Sequence, residues 1–568
     1  MKATITILSV IAILLLVALA CVMFFMGGEE VPEPTTQVTT TVTPTTTAAP
    51  TEPPTTAAPT TEPTEPPFEA SHTPDTDPDA WGVQWAIMAG DQLVESYERP
   101  DPIFFGGEDY FALPGVATFR GGSYRQDASY GTAQIVEGSL NQLSKTSVGF
   151  LSEAEWIGCG WTGQPLIVKW DAQTRQHMNL YEEKKNKEDL VEVIYAKMDG
   201  RIHFLDLEDG SATRDPMYVG MVFKGSGALD PRGYPILYVG SGLAQNGKQP
   251  TMFIIDLINC QVMKEFSGYD TFSLRSWYAF DSCPLVDADT DTLIWPGESG
   301  ILYTMRLNAE YDREAGLVSV EPEAPVKTHY THTYRQQGRN LGYESSAVVV
   351  EQYAYLGDNS GMLQCIDLNT MQMVWTQDVV DDLNSTPLFD WGEDGNGYLY
   401  LCPSLEFSNG GTWNDLPICK IDARTGEILW THELTCCTFD GVSGGALASP
   451  LLGRPGTDME DLLIYSVGRS PSAWKGQVVA LDKEDGHVVW QYETANYMWS
   501  SPVGIYTEDG KGYVFQADAS GNCYLLDGAT GEKLSSVALK STVEASPVVY
   551  GNRVVLGSRS GIHIFEIK

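Results

Sequence analysis

From about residue 116 to the C-terminus the chain alternates short apolar runs with clusters of Asp, Asn, Ser and Gly, as in Tyr398-Leu399-Tyr400-Leu401 and Val554-Val555-Leu556-Gly557. These runs carry no helical periodicity, which predicts an all-β chain of short strands. One stretch shows the local grammar. In Ile421-Asp422-Ala423-Arg424-Thr425-Gly426-Glu427-Ile428-Leu429-Trp430 a strand ends at Asp422, an Asp-to-Gly tight turn follows, and a second strand carries a Trp four residues past the Gly. The same order recurs at Asp482, Gly486 and Trp490, at Asp367 and Trp375, and without the Trp at Asp527 and Gly531.

Weaker copies at Asp206 and Asp256 and positional matches at Asn308 and Glu566 complete eight anchors, separated by 50, 52, 59, 55, 60, 45 and 39 residues. A period near fifty built of short strands predicts an eight-bladed β-propeller with four strands per blade. Full blades open on a small-Pro-apolar strand, as at Cys283-Pro284-Leu285, Thr386-Pro387-Leu388, Ser449-Pro450-Leu451, Ser501-Pro502-Val503 and Ser546-Pro547-Val548. Pro suits that first position because no ladder donor is required there. The last repeat has three strands and then stops at Lys568. An open ring would leave unpaired strand edges, so the stretch 134–148, which has no blade of its own, is expected to close it.

The Asp-x-x-Thr-Gly-x-x-x-Trp pattern of 422–430 resembles the repeat of pyrroloquinoline quinone (PQQ)-like propellers, and Phe119-Arg120-Gly121 resembles an opening common among them. The resemblance covers roughly residues 115 to 568. That family includes quinoprotein alcohol dehydrogenases and a non-enzymatic outer-membrane assembly lipoprotein, so it specifies a fold better than a function. It implies that Trp375, Trp430 and Trp490 pack between neighbouring blades.

Ahead of the repeats, residues 3–26 are mostly apolar and carry no charge, long enough to span a bilayer. Lys2 precedes them and Glu29, Glu30 and Glu33 follow, which favours a single-pass anchor with the bulk of the chain outside the cell. Residues 27–79 form a Thr/Pro-rich linker with too few large apolar groups to order itself. The folded domain is expected over 80–568, with 80–115 as a lead-in and 116–568 as repeats.

Charge then narrows the partners. With 35 basic against 75 acidic residues and a net charge of −40, the chain repels phosphate backbones, and nucleic acid is excluded as a partner. Cys436-Cys437 is the candidate cofactor feature, because the dehydrogenases in the resembling family carry a vicinal disulfide over their quinone. Its late position departs from that family, and no ligand set for PQQ can be assigned beside it. Asp287, Asp289 and Asp291 are spaced as oxygen ligands for calcium, but they also lie in a predicted blade hairpin. No catalytic signature is visible, and no cofactor is expected. The expectation is a monomeric, membrane-tethered binding or scaffolding module for a protein, peptide or glycan. A PQQ-dependent dehydrogenase is the alternative.

Overall fold

Each Asp anchor closes, or nearly closes, the third strand of a blade, and the side chain does the closing. Asp422 Oδ1 accepts the backbone N–H groups of Arg424 (2.8 Å) and Thr425 (3.0 Å), while Gly426, at φ +76°, donates to the Asp422 carbonyl at 2.8 Å. This Asx turn leads from Trp413–Asp422 into the outer strand Ile428–Cys437. The computed structural model describes residues 68–107, 110–151, 157–333, 341–407 and 413–568.

Eight blades follow one another around an axis. Their innermost strands are Leu166–Val168, Ala228–Leu229, Leu285–Asp287, Val348–Val350, Leu388–Trp391, Leu451–Leu452, Val503–Tyr506 and Val548–Tyr550. In the eighth blade the outermost strand is Leu140–Ser147, which pairs antiparallel with Gly561–Ile567 in the register Ile562 to Thr146 and Ile564 to Ser144. The ring is thus closed by hydrogen bonding between the two ends of the repeat region, and no blade is left with three strands.

The tryptophans lock successive blades. Trp375 of blade four is fully buried, and its indole N–H donates to the Ala423 carbonyl of blade five at 3.1 Å. A Cβ added at Gly426 would lie 2.6 Å from the Trp375 ring, so the turn needs Gly both for its positive φ and for this approach. Trp490 of blade six repeats the geometry, donating to the Gly528 carbonyl at 2.9 Å and covering Gly531. Trp430 covers Gly486 in the same way, but it is only half-buried and its indole nitrogen has no hydrogen-bond partner.

Three features depart from the sequence expectation. Residues 68–79, expected to be linker, are held on the blades: the Phe68 ring packs on Tyr353, Phe389 and Trp391, and the Thr76 hydroxyl donates to the Thr425 carbonyl at 2.6 Å. One aromatic anchor and a few backbone bonds are enough to hold a polar segment on the blades. Gln84–Ala89 and Gln92–Val94 extend blade three to six strands by pairing on Val326–Thr331. Blade one contains short helices at Ala172–His177, capped by Asp171, and Glu182–Lys185. Among the described residues no helix is long and apolar enough to cross a membrane. The anchor expected at 3–26 and the linker up to residue 67 lie outside the described residues.

Candidate functional site: the axial funnel

The small residue that opens each inner strand has a second role, visible only in three dimensions. Its hydroxyl accepts the backbone N–H of the preceding blade: Cys283 donates to Ser346 (2.8 Å), Ser346 to Thr386 (2.9 Å), Thr386 to Ser449 (2.9 Å), Ser449 to Ser501 (3.0 Å) and Ser501 to Ser546 (3.2 Å). Gln164 donates to Ser226 at 2.7 Å, and Ser546 closes the circuit on the Gly163 carbonyl at 3.2 Å. The Cys283 thiol completes it by donating to the Gly227 carbonyl. A polar girdle therefore surrounds the axis, with every blade tied to the next.

Three residues beyond the girdle, each inner strand presents an N–H to the axis. Residues 117–130 satisfy six of these donors, Gly504 through the Asp127 carboxylate, and the Tyr110 hydroxyl accepts from Val286. Leu229, Val349, Phe389, Leu452 and Val549 donate to the carbonyls of Ala117, Ser123, Tyr124, Gln126 and Ala128 at 2.7–3.1 Å. Two arginines complete the plug, both fully buried and both at positive φ. Arg120 donates to the Pro450 and Pro502 carbonyls, each at 2.7 Å, and Arg125 to those of Ala347 (2.9 Å) and Cys283 (3.3 Å). Burial pulls the Arg120 guanidinium down to about 10, against the opposing field of Asp127. The Phe-Arg-Gly segment thus closes one end of the axis and runs on into the strand that closes the ring.

The other end opens as a narrow funnel with about 20 Å³ of free space inside it and Phe119 among the residues that line it. The residue two before each girdle position lines or flanks it, one per blade. Four are charged: Lys224, Asp281, Glu344 and Glu544. The others are Thr162, Asn384, Leu447 and Trp499. Glu544 is paired with Arg559, and Lys224 with Asp281; the Lys224 ammonium also lies 4.4 Å from the centre of the Trp161 ring and 5.9 Å from that of Trp277.

Beside that pair, Asp281, Glu298 and Glu344 bring carboxylate oxygens within 4.8 Å of one another. Glu298 is 3% exposed, and its Oε1 has no hydrogen-bond partner. Asn359 donates to Glu344 and to Asp382, each at 3.2 Å, and Arg275 donates to Asn359 at 3.0 Å. Burial, followed by repulsion from Glu344 and Asp281, raises the Glu298 carboxyl well above the usual range. Burial also raises Glu344, and burial with the neighbouring Glu344 raises Asp382. These groups gather where blades two to five meet the axis.

The residues singled out from the sequence lie elsewhere. Cys436 and Cys437 are free, buried thiols at the end of the outer strand of blade five, and Cys436 packs on Leu405 and Leu416. They do not line the funnel. Asp287, Asp289 and Asp291 do not converge: Asp287 accepts from the Thr290 N–H at 3.2 Å, Asp289 is exposed, and Asp291 pairs with Arg232 at 2.7 Å. Among the described residues the other converging group is Asp482, Asp485 and His487, on a turn at the opposite face. The funnel residues were missed, although counting back two from each small-Pro pair would have found Asp281, Asn384, Leu447, Trp499 and Glu544.

Comparison with known proteins agrees with this architecture. A family model described as outer membrane protein assembly factor BamB matches residues 417–503 and 474–567. The protein of that name from Kangiella koreensis is 24% identical over 243 residues, which are 40% of this chain and 51% of the relative. The chain therefore spans about half the length of the curated relatives it matches. Among solved structures, the quinohemoprotein alcohol dehydrogenase ADHIIG from Pseudomonas putida HK5 superposes with a TM-score of 0.55 at 13% identity, covering 82% of each chain. The quinohemoprotein alcohol dehydrogenase from Comamonas testosteroni does so with 0.52 at 14%, covering 80% of each. These structural likenesses establish the fold. By its Asp-to-Gly turns, inter-blade tryptophans and eight closed blades, the chain has the propeller fold of these dehydrogenases, and its residues 417–567 are similar to the assembly-factor family model.

Proposed function

We propose that this propeller is a non-catalytic scaffold that binds a protein partner through the face carrying the axial funnel. The observation that carries the reading is the character of that face. Trp277 and Trp474 are 42% and 66% exposed on loops that join blades or join second to third strands, and Trp413, 45% exposed, opens the third strand of blade five, all at the end where the funnel opens. Phe439 packs edge-on against Trp474 at 4.6 Å between ring centres, and Arg469 lies over both Phe439 and Tyr497. Exposed Trp with neighbouring Tyr and Arg is the composition of binding hot spots. Relatives named as outer membrane assembly factors support the same reading. In this proposal the apolar residues 3–26 tether the propeller to the outer surface of a membrane, and the Thr/Pro-rich segment spaces it from the bilayer.

Photo-crosslinking in cells from position 474 tests the scaffold. It should capture one protein partner that a crosslinker at position 485, on the opposite face, does not. Trp474→Ala and Trp277→Ala should weaken that complex without moving the melting curve. Equal capture from both positions would overturn the proposal. So would alcohol-dependent dye reduction by protein that retains PQQ absorbance through gel filtration after loading with PQQ and calcium. Protease added to intact cells should release the propeller as one resistant fragment; release only after lysis would overturn the tether.

A further inference from the structure

We infer that the mouth of the funnel, where the lining residue Glu344 stands beside Glu298 and Asp382, receives the guanidinium or ammonium of a basic side chain carried by the protein partner. The inference rests on the scaffold reading and names what the funnel recognises.

The first argument is charge. Four carboxyl groups, Asp281, Glu298, Glu344 and Asp382, face two cations, Lys224 and Arg275, and Lys224 is already paired with Asp281. Asp382 and Glu298 are 5% and 3% exposed, and buried carboxylates without a counter-charge are expensive. The second argument is the orphaned acceptor. Glu298 Oε1 is buried with no hydrogen-bond donor, although nearly every buried polar atom finds one. A cation with several N–H donors would satisfy it together with Glu344. The half-buried Glu344 gives access from the mouth of the funnel.

The third argument is shape. In an eightfold ring blade seven stands opposite blade three, and blade six opposite blade two. Trp499 therefore faces the Asp281 side and Leu447 the Lys224 side. Trp161 packs edge-on against Trp499, 5.8 Å between ring centres. The acidic side lies across from Leu447 and Trp499, which offer apolar contact to a side chain with an aliphatic stem and a charged head. A divalent metal fits less well, because the Lys224 ammonium already lies against Asp281 and brings a positive charge into the cluster. The resident lysine, stacked on Trp161, shows the chemistry the site accepts.

The test uses the full-length chain and agmatine as the probe, followed by calorimetry. Agmatine should bind one to one. Glu344→Gln and Glu298→Gln should each weaken it about tenfold or more, the loss expected for one charge-assisted hydrogen bond. Asp485→Asn, on the opposite face, should not change it. Lys224→Met vacates part of the sector and should tighten binding, which guards against reading a folding defect as lost affinity. No agmatine binding to wild type or to Lys224→Met would overturn the inference. So would calcium binding that Glu298→Gln abolishes while agmatine fails. A partner held equally by wild type and Glu344→Gln would sink the inference and leave the scaffold reading intact. Agmatine binding lost in Glu344→Gln, in a protein with no partner, would support the cation site and sink the scaffold reading.

Discussion

The inter-blade contact of Trp375 with Gly426 can be measured as a coupling energy. Trp375 is fully buried, so Trp375→Ala should destabilise the propeller by about 3–5 kcal/mol through lost burial and the cavity left behind. The Ala423 carbonyl is not orphaned by this change, because the Tyr355 hydroxyl also donates to it at 3.0 Å. Gly426→Ala meets two costs. At φ +76° a side chain costs about 1–2 kcal/mol, and its Cβ would lie 2.6 Å from the Trp375 ring, an overpacking worth about 1–3 kcal/mol more. With the ring removed the second cost disappears. In the Trp375→Ala background, Gly426→Ala should therefore cost only about 1–2 kcal/mol, giving a coupling of about 1–3 kcal/mol. Urea unfolding followed by circular dichroism, with unchanged slopes, provides the four free energies. Additivity within about 0.5 kcal/mol would refute the argument that the tryptophan of one blade fixes the turn of the next.

Two further outcomes follow from the axis and the closing strand. Arg120→Met leaves the Pro450 and Pro502 carbonyls without their charged donor, at about 1.5–3 kcal/mol for each bond, and Arg120→Lys should not restore both because one ammonium lacks the fork that reaches two blades; a loss below about 1 kcal/mol in urea unfolding would make the plug dispensable. His563, 2.8 Å from the Ser558 hydroxyl and facing Gln142 and Lys145 of the closing strand, is held down to about 4, first by burial and then by Lys145. The unfolded chain takes up this proton near pH 6.5, so the stability contribution is complete above that pH and lost as pH falls toward about 4, by at most about 3 kcal/mol. His563→Gln should flatten that part of the stability profile, and an unchanged profile would show that His563 is not the group responsible.

Blade number and ring closure were legible because they depend on chemistry that must repeat. Asp422, Asp482 and Asp527 each cap the same turn, and Gly426, Gly486 and Gly531 each lie under a tryptophan, so substitution at any of them breaks a blade junction. The final repeat also lacked a strand that only 134–148 could supply. Other features were hidden because their partners are remote in sequence. Ser346, Thr386 and Ser449 read as ordinary strand openers, and their girdle bonds span 40 to 63 residues. The Asp287-to-Asp291 spacing suggested a ligand set, but a hairpin sends its carboxylates in different directions, here to a turn, to solvent and to Arg232. Phe68 looked like linker because one aromatic residue carries no period.

The same logic explains why the candidate site lies where the repeat is silent. Girdle residues must be small and mostly hydroxylated, since each one bonds the next blade, and residues three further on must offer an N–H to the plug. Two positions before the girdle no backbone donor of the neighbouring blade has to be met, although Lys224 and Asp281 pair across blades two and three. There the ring reads Thr162, Lys224, Asp281 and Glu344 on one half and Asn384, Leu447, Trp499 and Glu544 on the other, with no two adjacent blades alike. A position released from blade building can vary at little cost in stability, so what it holds is available for recognition. Glu298 sharpens the point, because a buried carboxyl oxygen that lacks a donor, as its Oε1 does, is a destabilising choice for a scaffold alone. A donor that arrives from outside the chain beside Glu344, which does line the funnel, would satisfy that oxygen.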